Sequence, residues 1–585
     1  MARCRFFRFS LFKSQLKSVD YYVLSSKDFG LPLGVRAIAI KKKHLQKISP
    51  IYTGGGMIKH VTTNYVVWAD VPERFEAGTP NIVSIIGFAR ALQLIKTKDR
   101  NLFKIKSKGA KLSKELFYSD RILDNSGEKL FNELKKLLIG YHNLVPTLNG
   151  LKTFINLDNA ASTRTFLPIW DKYFEVFKQP FDSYGSIIQE VKDICTKFLK
   201  APSREYDVIF TYNTTEAINI VAQSLINKSK QSNKIVILNT AMEHHSNELP
   251  FRYVKGTKLI KVSVDDDGFI NLMELERILI EYNQTYNHGN DKIQLVAISA
   301  ISNVLGAVND LQSISQIVHK YGAKLIVDGA QLVAHHKINI KDNNIDYFVF
   351  SGHKMYAPFG SGVLVVKRGL LSFDAKKLKQ IKSSGEENVA GVAALGMAMI
   401  LLEKIGIDLI KNHEKKLIKL SLDGLNELSN IIIFGIQSSK SVNFNKKGSI
   451  ISFNLREVPH NLAAKELAEI GGIGIRDGCF CAHILIQQIL KLQKIRVIGA
   501  RMTSVIIPEK TSMCLPGTLR ISFGIENDST DVRTLLQIIE KIMQKPRSLI
   551  NKLLGYTNNG TLFLPKTYIE QKIKGFVEKT INTIF

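Results

Sequence analysis

The chain has 585 residues, 45% of them hydrophobic and 23% charged, too long for one ordinary domain and rich enough in apolar residues to bury large cores. Its net charge of +28 raises nucleic acid, anionic membrane or acidic partners, but the lysines are scattered along the whole length with no RNA-binding signature or basic zipper, so nucleic-acid binding is not expected. Five cysteines (Cys4, Cys195, Cys479, Cys481, Cys514), odd in number and mostly isolated, do not make a disulfide framework and fit a reducing cytoplasm, and no apolar run reaches the ~18 residues of a membrane helix.

The first stretch, MARCRFFRFSLFKSQLKSV, is basic and acid-free, as an organelle-targeting peptide would be. SLFKSQLKSVDYY also lies opposite HKINIKDNNIDYF, so a cytoplasmic protein whose duplicated segment begins here is the main expectation. Residues 20–34 read DYYVLSSKDFGLPLG and residues 346–360 read DYFVFSGHKMYAPFG, sharing six of fifteen positions without a gap. Only the later copy contains Ser-Gly-His-Lys; Asp28 stands where Lys354 stands, with Lys27 one residue early. Residues 96–120 are lysine-rich and read as a linker.

From 151 to 370 short apolar runs alternate with amphipathic stretches. Strands are predicted at 234–239, 294–300, 323–329, 347–351 and 362–366, and buried strands alternating with helices argue for a largely parallel α/β sheet. VAGVAALGMAMILL at 389–402 is too short to span a membrane and reads as a buried helix. From about 390 the pattern turns to longer helices and a few strands, a smaller α+β domain. The resulting division is 1–97, a partial repeat; 98–150, a linker and helical segment; 151–390, the large domain; 391–545, the small domain; and 546–585, a solvated helical extension.

Lys354 follows Ser-Gly-His just past a strand and precedes a proline–glycine turn. A lone loop lysine is ordinarily solvated, but four other features sit at strand ends: Asp328 after AKLIV, the pair Glu243-His244, Asn303 after QLVAISAIS, and Thr214-Thr215 opening a helix after DVIFTYN. In a doubly wound sheet, ligand groups gather where strands end and helices begin. Pyridoxal phosphate needs a lysine for a Schiff base and a carboxylate for its ring nitrogen, and its phosphate suits a helix N-terminus.

With these residues in this order, the chain resembles the fold-type I, class V aminotransferase family, and within it the cysteine desulfurases and selenocysteine lyases. The resemblance covers residues 151–545 and rests on INLDNAAST, NTTEAINIV, MEHHSNELPF, SNVLGAVND, VDGAQLVAH, FSGHKMYAPFGSGVL, RDGCFCAH and PGTLRISFG. It implies that Lys354 carries the cofactor as a Schiff base, that Asp328 keeps the ring nitrogen protonated, and that His244 stacks on the ring. It gives Gln331 to the ring hydroxyl, Thr214, Thr215, Ser351 and His353 to the phosphate, and Asn303 to the cofactor–substrate edge. Arg520, assisted by Arg476, would grip the substrate carboxylate.

Class V members share a cofactor rather than a reaction, and the informative stretch is IRDGCFCAH, 475–483. In the desulfurases a cysteine before alanine in this loop attacks the sulfur of substrate cysteine, and Cys481 holds that place; His483 and Arg476 are candidates to activate it. Cys479 and Cys481 as buried structural thiols, or as half a metal site with His483, are the alternatives; no second ligand pair is visible, so no metal is expected. Desulfurases usually carry two histidines where this chain has Cys479-Phe480, a form resembling the molybdenum-cofactor sulfurases. An Asn-Val-His-Arg-Gly-like stretch is absent near 178–186.

The resemblance therefore implies conversion of L-cysteine to L-alanine, with a persulfide on Cys481, a sulfur-acceptor protein and a homodimer, since family active sites lie at a subunit interface. A class V aminotransferase or epimerase without a nucleophilic cysteine is the second reading, and a non-catalytic interaction protein the third. The N-terminal copy resembles the part of the family that follows the lysine. There a Gly-Thr-Pro-Asn threonine reaches the phosphate of a neighbouring subunit, and Thr79 matches it; alignment through Asn81 and Asn388 puts Glu386 opposite Thr79. Without the first half of a sheet this segment should fold poorly alone. It is expected to be a degenerate remnant, the sharper expectation being that it docks on the later copy and supplies Thr79 to the phosphate.

Overall fold

The computed structural model describes residues 20–97, 113–228, 235–491 and 517–545, a few single positions within them excepted. The targeting-type leader, Cys4, Cys514, most of the lysine-rich linker and the C-terminal extension lie outside the described residues.

The N-terminal segment forms β1 (Tyr21–Ser25), β2 (Arg36–Ile40), the hairpin β3 (Ile58–Val61) and β4 (Val66–Trp68), and α1 (Ile82–Thr97). Among the described residues β1 pairs only with β2 and β3 only with β4, so neither ribbon joins a larger sheet there. Leu33, Val35 and Phe88 make a small core that reaches Phe177 of the body, while Tyr21, Val23 and Ile38 stay exposed. That exposure is the physical cost of a ribbon without its flanking strands.

The body begins with α2 (Leu167–Val176) and α3 (Tyr184–Phe198), then β5 (Tyr206–Thr211), α4 (Thr214–Lys228), β6 (Ile235–Thr240), β7 (Thr257–Val262), β8 (Ile293–Ser299), β9 (Lys324–Asp328), β10 (Tyr347–Ser351) and β11 (Gly362–Lys367). They build one seven-stranded sheet in the order β7-β6-β8-β9-β10-β11-β5. Every pairing is parallel except those of β11, which runs antiparallel to both β10 and β5. Both faces are covered, which explains the unbroken apolar runs. In β10, Phe348 and Phe350 enter the core shared with α5 (Val389–Ile405), while Tyr347 and Val349 enter the core shared with α4.

The apolar stretch at 389–402 is α5, buried along almost its whole length against α2 and α3. Gly406, at φ +92°, then turns the chain by 76° into α6 (Ile407–Glu427). A second core joins Leu417 and Ile418 of α6 to an antiparallel sheet of β12 (Ile431–Phe434), β13 (Ile450–Leu455), β14 (Arg476–Gly478) and β15 (Thr518–Ser522), ordered β12-β13-β15-β14. Two helices, α7 (His460–Gly471) and α8 (Ser529–Met543), cover it. Among the described residues no single helix is long and apolar enough to cross a membrane, and no group of His, Cys, Asp or Glu could hold a metal.

Candidate active site

The sheet brings its polar loops together at one edge. β5 ends at Thr211, and Asn213 caps α4 by accepting from the Glu216 N–H at 2.9 Å. Across the gap, Ser351 at the end of β10 accepts from the Thr214 N–H at 2.8 Å and sits 2.6 Å from the Thr214 hydroxyl. Thr215 Oγ1 lies 2.7 Å from Ser246 Oγ. Four hydroxyls, in two pairs, therefore gather at a helix N-terminus, the arrangement that suits a phosphate.

After β6 the chain makes a tight loop that is held from behind. Glu243 accepts from Thr240 Oγ1 at 2.5 Å, Asn247 Nδ2 at 2.6 Å and Ser299 Oγ at 2.7 Å, and burial nonetheless pushes its carboxyl up to about 7. This anchor aims His244, whose imidazole burial, Lys354 and Arg520 together push down to about 3, so it is a neutral flat ring near neutral pH. His353 is likewise pushed to about 3, by burial and by Lys354, and its ring lies 5.4 Å from that of Phe359.

Lys354 follows β10 in a single helical turn. Burial lowers its pKa, Asp328 works against that lowering, and Arg520 adds to it. A lysine held below its ordinary range supplies more neutral amine, the form that condenses with a carbonyl. Asp328 ends β9; burial raises its carboxyl pKa, while Lys354 and the Ala330 N–H, donating at 2.9 Å, oppose the rise. Gln331 donates to Ala160 O at 2.7 Å, tying this loop to the one after residue 156.

Arg520, on β15, is buried. It donates from Nη2 to Asp158 Oδ1 at 2.7 Å and from Nη1 to Asn303 O at 3.0 Å, and lies 4.8 Å from the Phe480 ring centroid. Arg476 pairs with Arg520 across the sheet register and reaches Asp158 Oδ2 at 3.8 Å. Asn303 donates to Phe480 O at 2.8 Å and so pins the cysteine loop.

In that loop Phe480 and Cys481 both adopt the left-handed conformation, at φ +51° and +53°. Two consecutive non-glycine residues there are unusual and need a scaffold that over-determines them. His245 N–H donates to Cys481 O at 2.8 Å to complete that scaffold. Burial raises the Cys481 thiol, whereas the Gly56 N–H, Arg476, Lys354 and Arg520 all lower it. Burial pushes Cys479 up to about 12, which fits an inert thiol. His483 instead sets its Nδ1 2.9 Å from His245 Nε2 and is pushed by burial to about 3, so Arg476 is the one of the two candidate activators whose charge acts on Cys481.

All twelve residues singled out in the sequence thus lie around one site. Sequence reasoning passed over Asp158, Ser246, Phe480 and the glycines at 54–56. Asp158, Ser246 and Phe480 lie in INLDNAAST, MEHHSNELPF and RDGCFCAH, motifs noted for resemblance without a role for these residues, and the glycines act through contacts that leave no local pattern.

A doubly wound sheet with a half-buried lysine at a strand end, near an aspartate and a helix N-terminus, defines the class of pyridoxal-phosphate enzymes of fold-type I. The model of the class-V aminotransferase family matches residues 13–135 and 155–535, and the chain belongs to that family. A protein of Halalkalibacterium halodurans named "Probable cysteine desulfurase" is 32% identical over 445 residues, 70% of this chain and 97% of that one. The cysteine desulfurase of Dickeya dadantii is 30% identical over 379 residues, 59% of this chain and 87% of its own. The apo structure of the cysteine desulfurase from Thermococcus onnurineus NA1 superposes with a TM-score of 0.56 at 23% identity, covering 70% of this chain and 97% of that one, and establishes the same fold.

Proposed function

We propose that the protein is a pyridoxal-phosphate-dependent cysteine desulfurase that converts L-cysteine to L-alanine and keeps the sulfur as a persulfide on Cys481. The observation that carries this reading is the position of Cys481, in a loop held by the His245 N–H on its own carbonyl and by Asn303 on the Phe480 carbonyl, with Arg520 against the Phe480 ring.

The residues present fit the cofactor. His353 Nδ1 and Arg520 Nε are buried with no hydrogen-bond partner among the described residues, so the site has donors to spare. Lys354 would hold the cofactor covalently, Asp328 would face its ring nitrogen, neutral His244 would lie against the ring, and Thr214, Thr215, Ser351 and His353 would hold its phosphate. When bound, pyridoxal phosphate supplies an electron sink for bonds breaking at the substrate.

The chain does the rest. Arg520 keeps Nε free, beside an Nη group already oriented by Asp158, a fork suited to a carboxylate. The Lys354 amine would move the α-proton. The Cys481 thiolate attacks the substrate sulfur: the new S–S bond forms as the substrate C–S bond breaks, and the carbon left behind takes a proton to become alanine. A thiol of an acceptor protein or a reductant then removes the sulfur and regenerates the Cys481 thiol.

The test is alanine formation from L-cysteine by the cofactor-loaded protein with a reductant present. Wild type should release alanine and Cys481→Ser should not. A loaded wild type that makes no alanine would favour the aminotransferase or epimerase reading.

A further inference from the structure

The N-terminal segment repeats the backbone of the lysine-bearing strands in register. Tyr21 pairs with Ile40 as Tyr347 pairs with Val366, and Ser25 pairs with Arg36 as Ser351 pairs with Gly362. The turns match as well: Ser26 N–H donates to Val35 O and Leu31 N–H to Ser26 O, as Gly352 N–H donates to Ser361 O and Ala357 N–H to Gly352 O. Asn81 caps α1 through the Ser84 N–H at 3.3 Å, and Asn388 caps α5 through the Gly391 N–H at 3.2 Å.

The two units then touch reciprocally. A Cβ on Gly34 would lie 2.7 Å from Asn388 Cβ, and a Cβ on Gly360, the equivalent position, would lie 2.2 Å from Asn81 Cγ. Residue i against j, with j against i, is the signature of a two-fold interface between like surfaces. Here both surfaces belong to one chain.

The units differ in what they keep. Between β2 and α1 lie the β3–β4 hairpin and the turns Thr53–Gly56 and Gly78–Thr79. Between β11 and α5 there is only a short helix, Ala375–Lys382, and one further turn, with no strand. The earlier unit lacks the lysine; the later one lacks the hairpin.

What the earlier unit keeps is pressed into the site. Thr53 N–H donates to Asn219 Oδ1 at 3.2 Å, and Asn219 Nδ2 returns a bond to Thr53 O at 2.9 Å. Gly55 N–H donates to Ser246 Oγ at 3.4 Å, and a Cβ there would lie 2.8 Å from His244 Cε1. A Cβ on Gly54 would lie 2.2 Å from Thr215 Cγ2, and one on Gly78 2.8 Å from Thr215 Oγ1. Asn213, the cap of α4, donates to Thr79 O at 3.1 Å. The Gly56 N–H is among the groups that lower the Cys481 thiol. Gly54 and Gly55 leave no room for a Cβ against the site, and Gly56 takes a φ of +91° that favours glycine.

We propose that residues 20–97 serve as a built-in second subunit: the turns Thr53–Gly56 and Gly78–Thr79 wall the active site of their own chain against His244, Ser246 and Thr215. The identity of Cys481 as the working thiol rests on the function proposed above; the walling in cis does not.

Two measurements test it, neither of which reads turnover. Trp68 and Tyr253 lie with rings 5.1 Å apart across the contact. The full-length double variant Trp68→Cys/Tyr253→Cys, treated with a short bismaleimide, should cross-link at the mass of one chain in denaturing electrophoresis, as read by peptide mass. The separate variants Trp68→Cys and Tyr253→Cys, read by peptide mass, confirm that each introduced thiol reacts. A product of doubled mass, or none with both thiols reactive, overturns docking in cis.

In the second, the pH midpoint of Cys481 alkylation by iodoacetamide is measured in cofactor-free wild type and Gly55→Val. Loss of the Gly56 amide should raise the midpoint by about one unit. An unchanged midpoint in a folded variant overturns the role of the turn; should Gly55→Val not fold, Gly78→Ala, which displaces the adjoining turn through the Gly78 N–H to Gly55 O bond, takes its place.

Discussion

Buried Arg520 and half-buried Asp158 form an ion pair, Nη2 to Oδ1 at 2.7 Å, that leaves the Arg520 Nε without a partner among the described residues. The aspartate orients a planar fork rather than occupying it. Lysine in its place would keep the charge and lose the fork. Arg520→Lys should lower kcat/KM for L-cysteine by between about ten- and one-hundredfold, mainly through KM, the loss expected for one charged hydrogen bond. Steady-state kinetics checks this, and a kcat effect without a KM effect would place the arginine elsewhere in the mechanism.

Arg476 is more than half exposed, and its charge is one of those that lower the Cys481 thiol. Arg476→Ala should slow iodoacetamide labelling of Cys481 at pH 7 roughly two- to threefold, a small effect because solvent screens the charge. The difference should shrink further in 1 M salt, and labelling rates at two ionic strengths check both points.

His244, His353 and His483 are each held near a pKa of about 3 by burial. Their folded pKa lies below the unfolded value of about 6.5. The unfolded chain therefore binds protons first, so the stability these rings contribute is complete above about pH 6.5 and is lost as pH falls toward 3. Each ring steepens the loss by up to about 1.4 kcal/mol per pH unit. Denaturant unfolding at pH 7.5, 6.0 and 5.0 should show the decline, and His483→Asn, which can still meet His245, should make it shallower.

Gly329 directly follows Asp328, and a Cβ there would come 2.1 Å from Phe348 Cζ. Gly329→Ala must displace either a fully buried ring or the loop that carries Asp328. The expected cost is about 1–3 kcal/mol of stability, read as a lower thermal midpoint. Weaker retention of pyridoxal phosphate in equilibrium dialysis should accompany it.

The site residues that proved legible share a reason. Lys354, Asp328, His244 and Asn303 each follow an unbroken apolar run, and in a doubly wound sheet the run itself gives the address of the residue after it. The strands at 235–240, 293–299, 324–328, 347–351 and 362–367 fall within a residue or two of the reading from periodicity. Asp158 follows a strand of only two residues, Ile155–Asn156, which has no periodicity to read. The docking of the Thr53–Gly56 turn on His244 and Thr215 joins residues far apart in the chain, and packing of that kind leaves no trace in local pattern. The glycines were visible; what they were small for was not.

The reciprocal contact of Gly34 with Asn388 and of Gly360 with Asn81 has a consequence for how the enzyme meets changing abundance. Two separate subunits must find each other, and their pairing falls off as the protein becomes scarce. A wall carried on the same polypeptide is presented at an effective concentration on the order of millimolar, whatever the amount of protein around it. Specific activity should then stay constant on serial dilution into the nanomolar range, and a chain with a damaged wall should gain nothing from an intact neighbour.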